Sequence, residues 1–197
     1  MKTLALDTST HALVIALIEN DRVLAKETLE IPKRQSELTL PEVDRLMNKI
    51  SWTPTDLNAV VVTDGPGSYT GLRIAMTIAK VLAVIQPLEL YTIGTLQLWA
   101  GRLPTVRVVL DARAQRVFTG VYDCGIAVEA DHAIAIETLN SQLNDGDVIV
   151  GHAQLLGRTA LTVDLAENFA ALKSLWNPVD NIHALVPRYL KDPEHTP

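Results

Sequence analysis

The most constraining feature of this sequence is a short apolar run that leads through a glycine-proline loop into a long apolar segment. Ala59 to Thr63 is apolar and β-branched, the pattern of a strand that is buried on both faces. Asp64-Gly-Pro-Gly67 interrupts regular structure, because proline fixes φ and glycine permits positive φ. Thr70 to Ile85 contains one helix-breaking residue, Gly71, and is predicted to be a helix that Pro87 stops.

One face of this predicted helix carries the smallest side chains. Gly71, Ala75, Ala79 and Ala83 recur every four residues and therefore share a face. The polar positions of the helix are Arg73, Thr77, Lys80 and Gln86. A helix that is apolar nearly all round needs more than one neighbour. Two interpretations stay open: a core helix on its own sheet, or a helix with one face on the sheet and the other on a partner subunit.

Composition limits the kinds of protein to consider. With 197 residues, 48% of them hydrophobic, the chain has room for one large domain or two small lobes. No apolar span approaches the roughly 20 residues of a membrane helix, and Met1 to Asp7 is too short for a signal peptide. The lone Cys124 cannot form an internal disulfide, which fits a reducing cytoplasm. Together with the missing membrane span, this leads us to expect a cytoplasmic protein without a membrane partner. Because the net charge is −6, we do not expect the chain to hold nucleic acid alone.

The first half of the chain follows the order β-β-β-α-β-α-β. Residues 12–19 and 23–31 alternate as strands around the turn Asn20-Asp21, which predicts an antiparallel hairpin. A helix over 36–50 precedes the strand–loop–helix feature. Helices between parallel strands predict a mixed sheet with right-handed crossovers and both faces covered.

The second half repeats this order in a shorter form. Predicted strands at 106–110, 116–122, 126–130 and 147–151 are followed by an edge strand near Val163 and a helix over 166–176, which Asp164 caps. Gly101-Arg-Leu-Pro104 is the best candidate for the boundary between the two lobes. We therefore predict an α/β fold with duplicated, actin-like (ribonuclease H-like) lobes and mixed sheets, residues 1–101 and a shortened lobe of residues 102–197.

Four motifs carry a resemblance to a known family. The duplication, with Asp7 and Asp111 each following a first strand, resembles the actin-like, sugar-kinase and Hsp70 ATPase superfamily. The four motifs are Leu4-Ala-Leu-Asp-Thr-Ser-Thr10, Asp64-Gly-Pro-Gly-Ser-Tyr-Thr-Gly-Leu-Arg73, Leu110-Asp-Ala-Arg113 and Pro187-Arg-Tyr-Leu190. In order and spacing they resemble the TsaB (YeaZ) family, a glycoprotease-like (M22) branch that takes part in making threonylcarbamoyladenosine in tRNA.

The resemblance implies an accessory subunit rather than an enzyme. Such a chain pairs with TsaD, its catalytic paralogue, or forms a homodimer without it; the pair recruits the ATPase TsaE and reaches tRNA only through the complex. We expect the chain to have no cofactor of its own, and whether ATP or ADP with magnesium binds at a partner interface stays open. The implied partner-binding residues lie on the long helix: Gly71, Arg73, Ala75, Met76, Ala79, Leu82 and Ala83.

The residues give little sign of chemistry in the chain itself. The metal-binding histidine pair of TsaD has no counterpart, and the position where many family members keep one histidine is Gln35, a poor metal ligand. We therefore predict no metal site and no catalytic residues, and peptidase activity is the least favoured hypothesis. Asp7, Ser9 and Asp111 are either magnesium–nucleotide ligands or turn residues that bind backbone amides. The alternative function is an ATP-dependent phosphotransferase or ATPase of the sugar-kinase kind.

Overall fold

Two mixed sheets form the framework of the chain in a computed structural model that describes residues 1–31 and 33–190. The strands of the first sheet, in spatial order, are β10 (Asn177–Pro178), β5 (Glu89–Gly94), β4 (Ala59–Gly65), β1 (Lys2–Asp7), β2 (Ala12–Glu19) and β3 (Arg22–Glu30). Those of the second are β8 (Ile126–Ala135), β7 (Arg116–Asp123), β6 (Val106–Arg113) and β9 (Ile149–Gly151).

The two sheets share one topology. In each, three consecutive strands pair antiparallel, and the next strand joins the first of them in parallel: β4 beside β1, and β9 beside β6. The second sheet has four strands against six in the first, counted over the described residues. The predicted α/β fold with duplicated, mixed-sheet lobes and a shortened second copy is confirmed.

The β2–β3 hairpin shows how closely local sequence specifies this framework. Asn20 and Asp21 both have positive φ, 48° and 68°, which is the geometry that a two-residue turn between twisted strands requires. β1 then pairs with β2 from Lys2↔Glu19 to Asp7↔Val14, and this pairing carries Asp7 to the end of a buried strand.

Helices cover both faces of the first sheet. In chain order, the α-helices of the described residues are α1 (Gln35–Lys49), α2 (Tyr69–Ile85), α3 (Thr95–Ala100), α4 (Ile136–Gln142) and α5 (Leu165–Ala171), and all but α4 take part in this covering. On one face, α1 and α2 contribute Leu46 and Ala75 to a core with Leu4 and Val60. On the other, α3 and α5 pack on the opposite side of the same strands. Since α3 also packs on the second sheet through Leu96 and Ala100, it lies between the two sheets.

The end of the chain differs most from the sequence expectations. The predicted edge strand near Val163 is wrong, because the backbone contact there is a single bridge between Val150 and Leu161. Asp164 caps α5 as predicted, but the helix ends at Ala171, before a 3₁₀ turn at Lys173–Leu175. Strand β10 was not predicted; it pairs with β5 and returns the chain to the first sheet. The boundary at 101/102 stays a prediction.

Candidate functional site

The first turn of α2 is anchored to the end of β1. The Thr8 hydroxyl donates to the Gly71 carbonyl at 2.6 Å and accepts from the Ala75 amide at 3.3 Å. Ser68 caps the helix, with its Oγ accepting from the Gly71 amide at 3.2 Å. A Cβ at position 71 would overlap the Thr8 carbonyl oxygen, so the glycine permits this close approach.

The small-residue face of α2 lies against the protein's own sheet. Ala75 and Ala79 are 0% exposed and pack with Leu4, Leu6 and Val60. Gly71, Ala75, Met76 and Ala79 are all buried within the chain, so they offer little free surface, and their role as partner contacts stays a prediction. The four-residue spacing identified a close-packing face correctly, and the close neighbour at Gly71 is the backbone of Thr8, directly after β1.

Other predicted contact residues lie at the edge of this face or outside it. Leu82 and Ala83 are half-buried against the core that α2 forms with the first sheet, and Arg73 is exposed. The outer face of the C-terminal half of α2 is apolar instead: Val81, Val84 and Ile85 are 52%, 59% and 70% exposed. Sequence reasoning did not name these three as contact residues, although Val81 and Val84 lie with Thr77 on the side of the helix opposite the small-residue stripe.

The segment following β10 runs along α2 as a strap, residues 179–190. Near the C-terminal half of the helix, Lys80 Nζ donates to the carbonyl oxygens of His183 and Leu185 at 3.3 and 3.1 Å. At the first turn, Tyr189 stacks on Tyr69 with a centroid separation of 5.2 Å and its hydroxyl accepts from Arg73 Nε at 3.1 Å. The strap therefore borders the outer face of α2 over most of its length.

Arg188, in the strap, connects both sheets. Its guanidinium donates to the Gly65 carbonyl at 2.7 Å and to Asp131 of β8 at 3.0 Å, and lies 3.6 Å from Asp64. Burial raises the pKa of Asp64, and the charge of Arg188 opposes that shift. Tyr122 donates a short hydrogen bond to Asp131; burial and the Asp131 charge raise the pKa of Tyr122 well above its usual range.

A cleft of about 540 Å³ lies between the ends of the two sheets. It is lined by the loop after β1, the start of α2, the β6–β7 turn and His152, and it brings together the predicted residues Ser9 and Asp111. Asp111 is exposed there, and its Oδ1 accepts from the Arg113 amide at 2.7 Å. His152 accepts from the Asp111 amide at 3.0 Å, and burial lowers the His152 pKa.

Asp7 lies beneath this cleft and does not line it. Its carboxylate is 0% exposed and accepts from Thr63 Oγ1 at 2.6 Å and the Ser9 amide at 2.8 Å. Burial raises the pKa of Asp7, opposed by its bonds to Thr63 and Ser9. A carboxyl that is fully buried beneath the cleft presents no oxygen to a magnesium ion in the cleft. Asp7 and Asp111 therefore do not fit a site where both carboxylates hold a magnesium–nucleotide, and nucleotide binding stays a prediction.

Gln35, at the position where a metal-binding histidine was considered, supports the cleft. Its Nε2 donates to the Thr10 carbonyl at 3.0 Å, which fixes the start of α1 to the loop after β1. Within the part of the chain that the structure describes, no three His, Cys, Asp or Glu side chains come together as a metal site would require. Across the same residues, no helix has the length and hydrophobicity needed to cross a membrane.

Comparison with known proteins decides the family. The model of the TsaD family, described as tRNA N6-adenosine threonylcarbamoyltransferase, matches residues 24–142. The tRNA threonylcarbamoyladenosine biosynthesis protein TsaB of Bacillus subtilis (strain 168) is 31% identical over 216 residues, which cover 97% of this chain and 94% of that protein. The chain belongs to the TsaB family.

Other TsaB relatives and solved structures agree with this assignment. The TsaB protein of Escherichia coli (strain K12) is 33% identical over 62% of this chain and 55% of its own length. YeaZ from Pseudomonas aeruginosa has a TM-score of 0.76 at 22% identity, covering 96% of this chain and 99% of that one. A second P. aeruginosa structure, described as similar to peptidase YeaZ, has a TM-score of 0.80 at 21% identity with the same coverage. These two structures support the fold, and the resemblance drawn from the four motifs is confirmed.

Proposed function

We propose that this TsaB-family chain is a non-catalytic accessory subunit in the biosynthesis of threonylcarbamoyladenosine in tRNA. The relatives it matches over most of its length carry that process in their names. In this proposal the chain binds and activates a TsaD partner, which supplies the catalytic residues. The pair formed by this chain and TsaD recruits TsaE. The tRNA is bound through the whole complex, because a chain with a net charge of −6 has little to attract phosphate.

The observation that carries the partner interface is the exposed apolar row on α2. Val81, Val84 and Ile85 project from a helix whose opposite face is already filled by its own sheet. Exposed apolar positions in the last turns of one helix favour a helical partner surface. We propose that TsaD occupies this surface, and that a second copy of the chain occupies it in a homodimer when TsaD is absent.

A charge substitution on each face of α2 separates core from interface. We expect Val81→Asp to weaken TsaD binding at least 10-fold, with little change in the melting temperature of the chain, because a buried unpaired charge disrupts an interface. We expect Ala79→Glu to unfold the chain. The matched control is Ile126→Asp, a similarly exposed apolar position on β8, which should leave binding unchanged. Equal TsaD affinities for Val81→Asp and Ile126→Asp, measured by calorimetry, would reject the interface.

A second candidate function is an ATP-dependent activity of the chain itself, and the cleft is the site where we would test it. It brings Ser9 and Asp111 together, but Asp7 is not available to share a magnesium ion with Asp111. Titration of ADP and ATP into the chain alone, and into its complex with TsaD, distinguishes a site in the chain from one at the partner interface. Steady ATP turnover by the chain alone that is lost in Asp111→Asn would contradict the accessory role.

A further inference from the structure

Two consecutive residues of the strap contact different parts of the molecule. Arg188 reaches Asp131 on the second sheet and the Gly65 carbonyl on the first. Tyr189 stacks on Tyr69 and accepts from Arg73, which belong to the first two turns of α2. Backbone geometry ties the two side chains together, since neighbouring Cα atoms are about 3.8 Å apart.

The Arg188 end of this connection is firmly held. The Asp131 side chain is only 4% exposed and also accepts a hydrogen bond from Tyr122 of β7. The Arg188 amide donates to the Asp64 carbonyl at 2.7 Å. A Cβ at Gly65 would overlap the Arg188 carbonyl oxygen, so the backbone of the strap lies directly on the loop that leads into α2. Asp131 on the second sheet is therefore connected through Arg188 to the loop that leads into α2.

The Tyr189 end is open to a partner. Tyr69 and Tyr189 are 57% and 43% exposed, and Val186, three residues before Tyr189 on the strap, is 69% exposed. The Arg73 guanidinium lies 4.2 Å from the Tyr69 ring centroid. Arg73, Tyr69 and Tyr189 therefore form one cluster of a cation and two aromatic rings. Exposed aromatic and arginine side chains are typical of the energetically important centre of protein interfaces.

We propose that Asp131 and Arg188 are positioning residues for partner binding. They hold Tyr189 against the first turn of α2 and thereby couple the relative arrangement of the two sheets to the affinity for the partner. This inference rests on the proposed function, because the partner is the TsaD protein bound on the outer face of α2. By linkage, the bound partner stabilises the arrangement of the sheets in which Asp131 meets Arg188.

A double-mutant cycle tests the coupling. We expect Asp131→Asn to lower TsaD affinity about 5- to 10-fold, although Asp131 is buried and lies in the second sheet. In a Tyr189→Ala background, Asp131→Asn should change the affinity by less than about 2-fold, because the connection is already broken. The control is Glu129→Gln on the same strand; Glu129 pairs with Arg107 and does not contact Arg188, so its effect should be small in both backgrounds.

Two outcomes overturn the inference: wild-type affinity in Asp131→Asn, or the same fold-loss from Asp131→Asn in both backgrounds. If Asp131→Asn fails to fold, Tyr122→Phe, which removes only the donor to Asp131, takes its place in the cycle. If the wild-type chain does not bind TsaD, the proposed function fails, and hydrogen exchange of the chain alone decides the coupling. Tyr189→Ala should then increase exchange in β8 at residues 126–135, and unchanged exchange there would reject the connection.

Discussion

At the residue scale, polar side chains around the cleft are engaged mainly with the backbone. Asp7 accepts from the Ser9 amide and Gln35 donates to the Thr10 carbonyl. Of the two interpretations left open for Asp7, the structure favours the turn residue, because its carboxylate is fully buried. Sequence alone could not decide this, since a carboxylate that holds a turn and one that holds a metal ion follow a strand in the same way.

The buried Asp7 carboxyl gives a prediction about pH. The pKa of Asp7 is raised from 3.8 in the folded state, so the folded state binds the proton more tightly than the unfolded state. This contribution to stability is present below pH 3.8 and is lost as pH rises through the higher folded-state value. Asp7→Asn keeps an acceptor for Thr63 and Ser9 and carries no charge. The free energy of unfolding of Asp7→Asn minus that of the wild type should therefore increase as pH rises above 4.

Urea unfolding of both proteins between pH 4 and pH 8 measures this difference. Thr63→Val is a useful comparison, because it removes a hydrogen bond that opposes the pKa shift and should extend the pH dependence to higher pH. A difference between Asp7→Asn and wild type that stays constant across this range would contradict the shifted pKa.

At the element scale, the positions of helices and strands were predictable where local rules act. The helix predicted over 70–85 is Tyr69–Ile85, and the first hairpin forms at its predicted turn. The burial direction of α2 was not predictable. Small residues every four positions require a close neighbour, but both a sheet and a second helix satisfy that requirement; the Thr8 hydroxyl and carbonyl oxygen decide for the sheet.

The cap of α5 provides a prediction at this scale. Asp164 accepts from the Glu167 amide at 3.1 Å and pairs with Lys26 of β3 at 2.7 Å. We expect Asp164→Ala to lower the free energy of unfolding by about 1–2 kcal/mol, chiefly because an N-cap is lost. Glu167→Gln keeps the cap and removes only an exposed ion pair, so it should cost less than about 1 kcal/mol. Denaturant unfolding with equal losses for the two variants would show that the cap contributes little.

At the scale of the whole molecule, the last part of the chain stabilises the first sheet. Phe169 of α5 is 0% exposed and belongs to the core formed with Ala5, Val14 and Val61. Trp176 lies in the same core and donates to the Phe169 carbonyl at 3.1 Å. A sheet that begins at residue 2 is thus completed by residues more than a hundred positions later.

A cavity at Phe169 tests this dependence. We expect Phe169→Ala to lower the free energy of unfolding by about 3–5 kcal/mol, because a large buried side chain is removed. Hydrogen exchange should show lost protection in β1 and β2 of the first sheet as well as in α5. Val128→Ala, at a position that is 67% exposed, should change stability by less than about 0.5 kcal/mol. Protection lost only in α5 would mean that this helix unfolds independently of the sheet.

The sequence by itself determined the order of most elements, the duplicated topology and the family resemblance, because buried strands, turns and helix starts leave local patterns in residue type. Tertiary structure alone decided three things: that Gly71, Ala75 and Ala79 face the protein's own strands, that Asp7 is sealed beneath the cleft, and that Arg188 joins the two sheets. Each depends on which distant residue occupies a given face. Periodicity shows that a face is apolar or small, but not which neighbour will cover it.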